Sequence, residues 1–151
     1  MTSDSKELDA IEVDFDVVKE NWNKYQLPQG IVMRTRSPLI KIFKAKGGNK
    51  LDQGTYLTAG SSVFDVLCPL DVKGTPSEDT SVKPEDIVED DVDFKVISED
   101  WSEYLLLPDN LILKTKPVIV KVSKTRKFNQ FGDPIFSVQS NLAIKITEKK
   151  P

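Results

Sequence analysis

The sequence predicts an all-β protein: two tandem copies of a small five- to six-stranded barrel or sandwich, joined by an acidic linker. Three observations carry this expectation. The chain repeats itself at an offset of 79 that becomes 80, apolar side chains alternate with a period of two, and turn-forming residues recur at matching places in both copies.

The repeat is legible position by position. At an offset of 79, Val13-Asp14-Phe15, Val17, Glu20, Trp22 and Tyr25 recur as Val92-Asp93-Phe94, Val96, Glu99, Trp101 and Tyr104. One residue is then inserted. At an offset of 80, Leu27-Pro28, Thr35, Lys41, Lys44 and Asn49 recur as Leu107-Pro108, Thr115, Lys121, Lys124 and Asn129. Self-similarity kept in spacing over this length is the signature of a duplicated unit.

Each copy opens on a strand. Ile11, Val13, Phe15 and Val17 share one face, with Glu12, Asp14 and Asp16 on the other, and copy two repeats the alternation from Asp91 to Val96. Period two marks a half-buried strand. The Trp-x-x-Tyr stretch leads into a second strand ending at Leu27-Pro28-Gln29-Gly30, matched by Leu107-Pro108-Asp109-Asn110. Proline presets the turn, and Gly or Asn at its fourth position tolerates a left-handed backbone, as a bulged hairpin loop requires. Strands over Ile31–Arg36 and Leu39–Lys46 follow, with a kink expected at Ser37-Pro38 and, in copy two, at Pro117. After a Gly/Asn-rich loop, a last hairpin is expected to pair 55–58 with 63–67, and 135–138 with 142–146. Trp22 and Trp101, with Tyr25 and Tyr104, are expected to supply core volume.

The repeats thus span residues 11–68 and 90–147. Residues 69–89, PLDVKGTPSEDTSVKPEDIVE, hold three prolines and few large apolar residues, which predicts a flexible spacer. Residues 1–10 and 148–151 read as loose tails. The two copies are expected to pack on each other.

Composition narrows the function. The chain has no histidine, which excludes a Ser-His-Asp triad, a Cys-His pair and any His-containing zinc site. It contains no GxGxxG, Walker or CxxC motif, and Glu89-Asp90-Asp91-Val92-Asp93 lacks the glycine and distal glutamate of a calcium loop. No catalytic residue, cofactor or metal is expected. Lone Cys68, beside Leu67 and Pro69, reads as a small, partly buried apolar residue. No run approaches the roughly 20 apolar residues of a membrane helix, and the polar start Met1–Glu7 suggests no secretory signal. The expectation is a soluble cytoplasmic protein.

Charge is unevenly spread beneath a net of −3. Leu27–Lys50 carries six cations and no acid, Leu107–Gln130 six cations and one acid, and Pro69–Asp93 nine acids against two lysines. Arg34, Arg36, Lys41 and Lys44, with Lys114, Lys116, Lys121 and Lys124, are therefore candidate phosphate-binding residues on basic hairpin faces. The acidic segment is a candidate to lie across those faces. Phe128 and Phe131 replace Gly48 and Leu51 of the first copy, so with Lys127 they are candidate partner-binding residues. The function expected from this pattern is a non-enzymatic interaction or scaffold module that binds a protein partner or its own kind. The alternative is a nucleic-acid-binding tandem barrel.

Overall fold

Twelve strands follow the chain through the computed structural model, which describes residues 10–149. The first half supplies β1 (Ala10–Val13), β2 (Phe15–Lys19), β3 (Asn23–Gln26), β4 (Val32–Arg36), β5 (Leu39–Ala45), β6 (Tyr56–Gly60) and β7 (Val63–Leu67). The second supplies β8 (Ile87–Glu89), β9 (Lys95–Ser98), β10 (Ser102–Leu106), β11 (Leu111–Phe128) and β12 (Pro134–Glu148). Among the described residues the only helical turns are short 3-10 segments, so the protein is all-β. Residues 1–9 and 150–151, most of the two expected tails, lie outside the described residues.

All pairing is antiparallel. β1-β5-β6 form one sheet and β7-β4-β3-β9 a second, while β12-β11-β10-β2 form a third in which β8 also pairs with β11. The turns behave as the sequence predicts. Gly30 (φ 75°) and Asn110 (φ 55°) take the left-handed conformation, and they close the β3–β4 and β10–β11 hairpins. Gln29 joins them at φ 67°, which the residue type did not announce.

The expected last hairpin does not form. β6 pairs with β5 and β7 with β4, so 32–45 and 56–67 make one long hairpin that breaks at Ser37-Pro38. The break brings the strands so close that a Cβ on Gly60 would collide with the Pro38 carbonyl oxygen. In the second half the same hairpin is unbroken. β11 runs through buried Pro117, which pairs with Leu142, so no corner forms there. The strand count is therefore seven and five rather than five or six in each half. A period-two pattern fixes a face but not a partner, so the sequence left this pairing open.

Neither half completes its own sheet. β2 pairs with β10, and β9 pairs with β3: each half lends a strand to the edge of the other's sheet. The cores follow this exchange. One unites Val13, Leu39, Ile42 and Tyr56 with Tyr104, Leu106, Leu111 and Leu113. The other unites Tyr25, Leu27, Ile31 and Met33 with Val92 and Val122. Each lobe is thus an open sandwich filled from both halves of the chain, and the sequence boundary between the halves is not a boundary between cores.

No sheet closes into a barrel, which corrects that part of the expectation. β7 and β12 are both end strands. They face each other across a cavity of about 120 Å³ between Phe64–Val66 and Pro134–Val138. In the other lobe a cavity of about 250 Å³ separates Thr58 and Gly60 from Leu142. Closure would need hydrogen bonds across these gaps.

Two buried tyrosines tie the halves together. Tyr104 Oη donates to Glu20 at 2.7 Å and accepts the Leu39 amide at 3.2 Å, while Tyr25 Oη donates to Glu99 at 2.8 Å. Burial first, and then the carboxylate, push both phenols well above their ordinary pKa, so both stay protonated donors.

The segment 69–89 differs from a free spacer. The Gly74 amide donates to the Gly132 carbonyl and the Ser77 amide to the Phe128 carbonyl. Asp86 is buried, accepts from the Lys83 amide, and pairs with Arg126 at 2.7 Å and Lys127 at 3.6 Å. The sequence predicted a flexible spacer here, with its acids a candidate cover for the basic faces. The structure uses Asp86 as the anchor that holds the strap to the end of β11.

Two outcomes follow. A proteolytic nick between Ser77 and Ser81 leaves fragments that co-elute at full mass on gel filtration until denaturant is added, because each core needs both. Fragments that separate without denaturant would contradict the exchange. Tyr104→Phe strands the Leu39 amide and the half-buried Glu20, and costs about 1.5–3 kcal/mol in urea denaturation. Tyr25→Phe, whose partner Glu99 is exposed, costs less.

Candidate functional site: two tryptophan-centred faces

Residues three apart on a strand point to opposite sides. With Tyr25 and Tyr104 fixed inside, Trp22 and Trp101 are set on the outer faces of their sheets, half-exposed and in neither core. The expectation of core tryptophans is corrected on this ground. Alternate residues of the neighbouring strands then supply cations beside each indole.

Around Trp22 the charges are closed. The Arg34 guanidinium lies 4.4 Å from the ring centroid, and its Nε and Nη2 donate to Asp65 at 3.0 and 2.9 Å. Arg36 is 6.0 Å from the same ring and pairs with Glu20 at 3.1 Å. Both guanidiniums thus lie near the ring and pair with a carboxylate within the chain, although Arg36 Nε is buried without a hydrogen-bond partner.

Around Trp101 they are open. Lys145 Nζ lies 4.3 Å and Lys116 Nζ 4.9 Å from the ring centroid. Neither forms an ion pair within 4.0 Å among the described residues. Lys145 is the counterpart of Asp65 in the repeat, so the position that neutralises Arg34 on the first face adds a cation on the second. Lys145 also sits opposite Lys114 in the β11–β12 register, which crowds the two ammonium-bearing side chains. Lys114 is 3.9 Å from Glu103, which Lys19 shares at 3.5 Å. Lys19 also bonds Asp100 at 2.9 Å; that hydrogen bond raises the Lys19 pKa and lowers that of Asp100. Beside Lys114 a trough of about 420 Å³ opens, with Val18, Leu105 and Ile112 as its apolar lining. Lys149, Glu103 and Glu148 also border it.

The other predicted cations are mostly spent on internal pairs. Lys41 meets Glu12 at 3.2 Å, Lys44 meets Asp109 at 3.1 Å, and Lys121 meets Asp90 at 2.9 Å. Lys124 donates to Gln29 Oε1 at 3.4 Å. Of the eight, Lys116 and Lys124 form no ion pair among the described residues, and only Lys116, with Lys114 beside it 3.9 Å from Glu103, borders the Trp101 face. Lys145 completes that face. The signal for Lys145 was present as the repeat's departure from Asp65, but it gains meaning only once β11 and β12 are paired.

The predicted partner-binding trio is split. Lys127 is largely buried; its Nζ donates to the carbonyls of Asp79 and Ser81 at 2.8 and 2.7 Å. Phe128 lies against Gly74, where a Cβ would come within 2.5 Å of its ring, so it packs the strap from within. Only Phe131 projects, 67% exposed. The acidic segment accordingly reaches Arg126 and Lys127, not the tryptophan faces. Cys68 packs beside the second core, and burial raises its thiol pKa.

Among the described residues no group of three or more His, Cys, Asp or Glu is placed to hold a metal ion, and no helix is long and apolar enough to cross a membrane. No protein family, curated protein or solved structure matches the chain.

The paired carboxylates give a pH signature. Asp109 is lowered first by its hydrogen bond from Lys50, then by Lys44, and Asp86 first by the Lys83 amide. A carboxylate with a depressed folded pKa stabilises the fold above its unfolded value of about 3.9, and that stabilisation fades as pH falls through the lower folded value. Chemical denaturation between pH 6 and 2 is expected to show a shallower acid loss for Asp109→Asn than for the parent chain. Parallel pH profiles would contradict it.

Proposed function

We propose that the chain is a non-catalytic interaction module: an internally duplicated pair of β-units, interlocked as a pseudo-dimer, that binds a protein partner or a second copy of itself along an open sheet edge. The duplication rests on the repeat together with the matching strand orders β7-β4-β3-β9 and β12-β11-β10-β2. One observation carries the binding. β12 is fifteen residues long and is hydrogen-bonded along one side only.

Exposed edges are ordinarily blunted by shortness, prolines, bulges or lysines. β12 has its only proline at the first position and one lysine, and the register shifts of the β11–β12 ladder put the extra residues on β11. Phe136, Val138, Leu142, Ile144 and Ile146 are partly buried along it and pack against the two cores, so the free side of the strand is offered through its main chain. An added strand gains main-chain hydrogen bonds for affinity and alternate side-chain contacts for specificity. It would also supply what each lobe lacks for closure.

The broader phosphate-binding alternative loses support from the ion pairs of Arg34, Arg36, Lys41, Lys44 and Lys121. What survives of it is the Trp101 face.

A peptide-display selection against the immobilised chain tests the edge. The expected ligands alternate apolar and polar residues and slow amide exchange within Ser140–Ile146. Ligands that leave this segment unprotected, or a chain that sediments as a monomer and selects none, overturn the reading.

A further inference from the structure

We infer that the outer face of the β12-β11-β10-β2 sheet binds single-stranded nucleic acid, with Trp101 as a stacking platform and Lys114, Lys116 and Lys145 as phosphate contacts. This site shares Lys145 with β12 but uses the outer face of the sheet, whereas the proposed edge binding uses the free main-chain side of that strand.

The geometry combines the two features such a ligand needs. Unpaired bases stack on aromatic faces, and the backbone follows fixed cations. Trp101 is half-exposed and held by its neighbours: its own amide donates to Asp100 at 2.8 Å, and its carbonyl accepts from Asn21 Nδ2 at 2.8 Å. These bonds fix the Trp101 main chain, and the indole lies within 5 Å of two ammonium groups. Lys114 and Lys116 are two residues apart, about 7 Å along the strand, and Lys145 faces Lys114 across the ladder at about 5 Å. The Lys116 and Lys145 ammonium groups lie over the ring, and Lys114, 3.9 Å from Glu103, is their neighbour in the sheet. Those of Lys116 and Lys145 have no carboxylate partner among the described residues.

The trough extends the site by one step. It adjoins Lys114, is lined by Val18, Leu105 and Ile112, and its volume of about 420 Å³ falls in the range of small-ligand sites. One base on Trp101 and a neighbouring base in the trough would place the intervening phosphate near Lys114. A duplex has no free base face to offer the indole, and an acidic chain without aromatic residues, such as poly-glutamate, has no ring for the trough. The Trp22 face serves as an internal contrast. It has the same strands, the same indole and two arginines, but Asp65 and Glu20 already occupy them.

The test is fluorescence anisotropy on the full chain with a labelled oligo-dT of about twelve nucleotides at low salt. Saturable binding is expected, weakening as salt rises. Lys145→Asp should weaken it at least tenfold, and reduce the log-log salt slope by about 0.7 or more, the share of one phosphate contact on a single strand. Lys46→Gln, in the loop after β5, should leave binding unchanged. Should Lys145→Asp fail to fold, Trp22→Phe leaves Trp101 as the sole indole, and its quenching by oligo-dT reads the site directly. Four results overturn the inference: no binding at low salt; duplex binding as tight as single-strand binding; equal displacement by poly-glutamate; or indole fluorescence indifferent to bound oligonucleotide.

Discussion

β2 hydrogen-bonds to β10 and β9 to β3, so each half of the chain finishes its sheet with a strand of the other. The rest of the structure depends on this exchange. It decides which residues share a core, and it carries Glu20 and Glu99 across to the buried tyrosines of the opposite half. A unit the size of one repeat lies near the lower limit of what a single hydrophobic core can hold. Interlocking two such units fills each sandwich from two sequences, and makes opening either lobe cost the contacts of both. The halves also meet at Lys44–Asp109 and Lys124–Gln29, pairs related to one another by the same offset of 80.

Exchange demands a connection that permits it. The segment between the halves leaves β7 in one sheet and delivers β8 to the side of β11 in another. Along the way its polar groups find partners at the end of β11 and in the loop beyond. Phe128 fills the space left by a side chain that Gly74 does not have. Lys127 Nζ, nearly enclosed, is satisfied by two carbonyls and by Asp86. At Lys127 and Phe128, two positions where the second half departs from the first, the side chains hold the strap.

Much of this was legible in the sequence, at the level where local chemistry decides. The left-handed turn positions at Gly30 and Asn110, the strand character of nearly every segment, and the burial of Tyr25 and Tyr104 all follow from residue type and period. Pairing did not follow. Alternation gives Leu39–Ala45 a face, but nothing in it distinguishes β6 from β7 as neighbour. The same limit hid the open face, since Lys114 and Lys145 become neighbours only through the β11–β12 register. The tryptophans were misplaced for a related reason. Their size argued for a core, while a three-residue separation from a buried tyrosine, the argument that decides their side, becomes binding only once the tyrosine is known to be inside.

Counting cations along the chain overstated the basic faces, because β-sheet neighbours come from distant sequence. Glu12, Glu20, Asp65 and Asp90 lie outside the two cation-rich segments, yet they reach Lys41, Arg36, Arg34 and Lys121. Compensation, rather than composition, sets what a surface offers to an anion. The two tryptophan faces show how few changes this takes. Lys114 and Lys116 stand where the first half has Arg34 and Arg36, with no change of sign, but Lys145 stands at the position matching Asp65, and Glu99, which matches Glu20, is bonded to Tyr25. The matching position thus carries +1 rather than −1 beside the indole. One face therefore spends its cations on internal pairs and contributes to the fold, while the other keeps two ammonium groups without carboxylate partners over a partly buried ring.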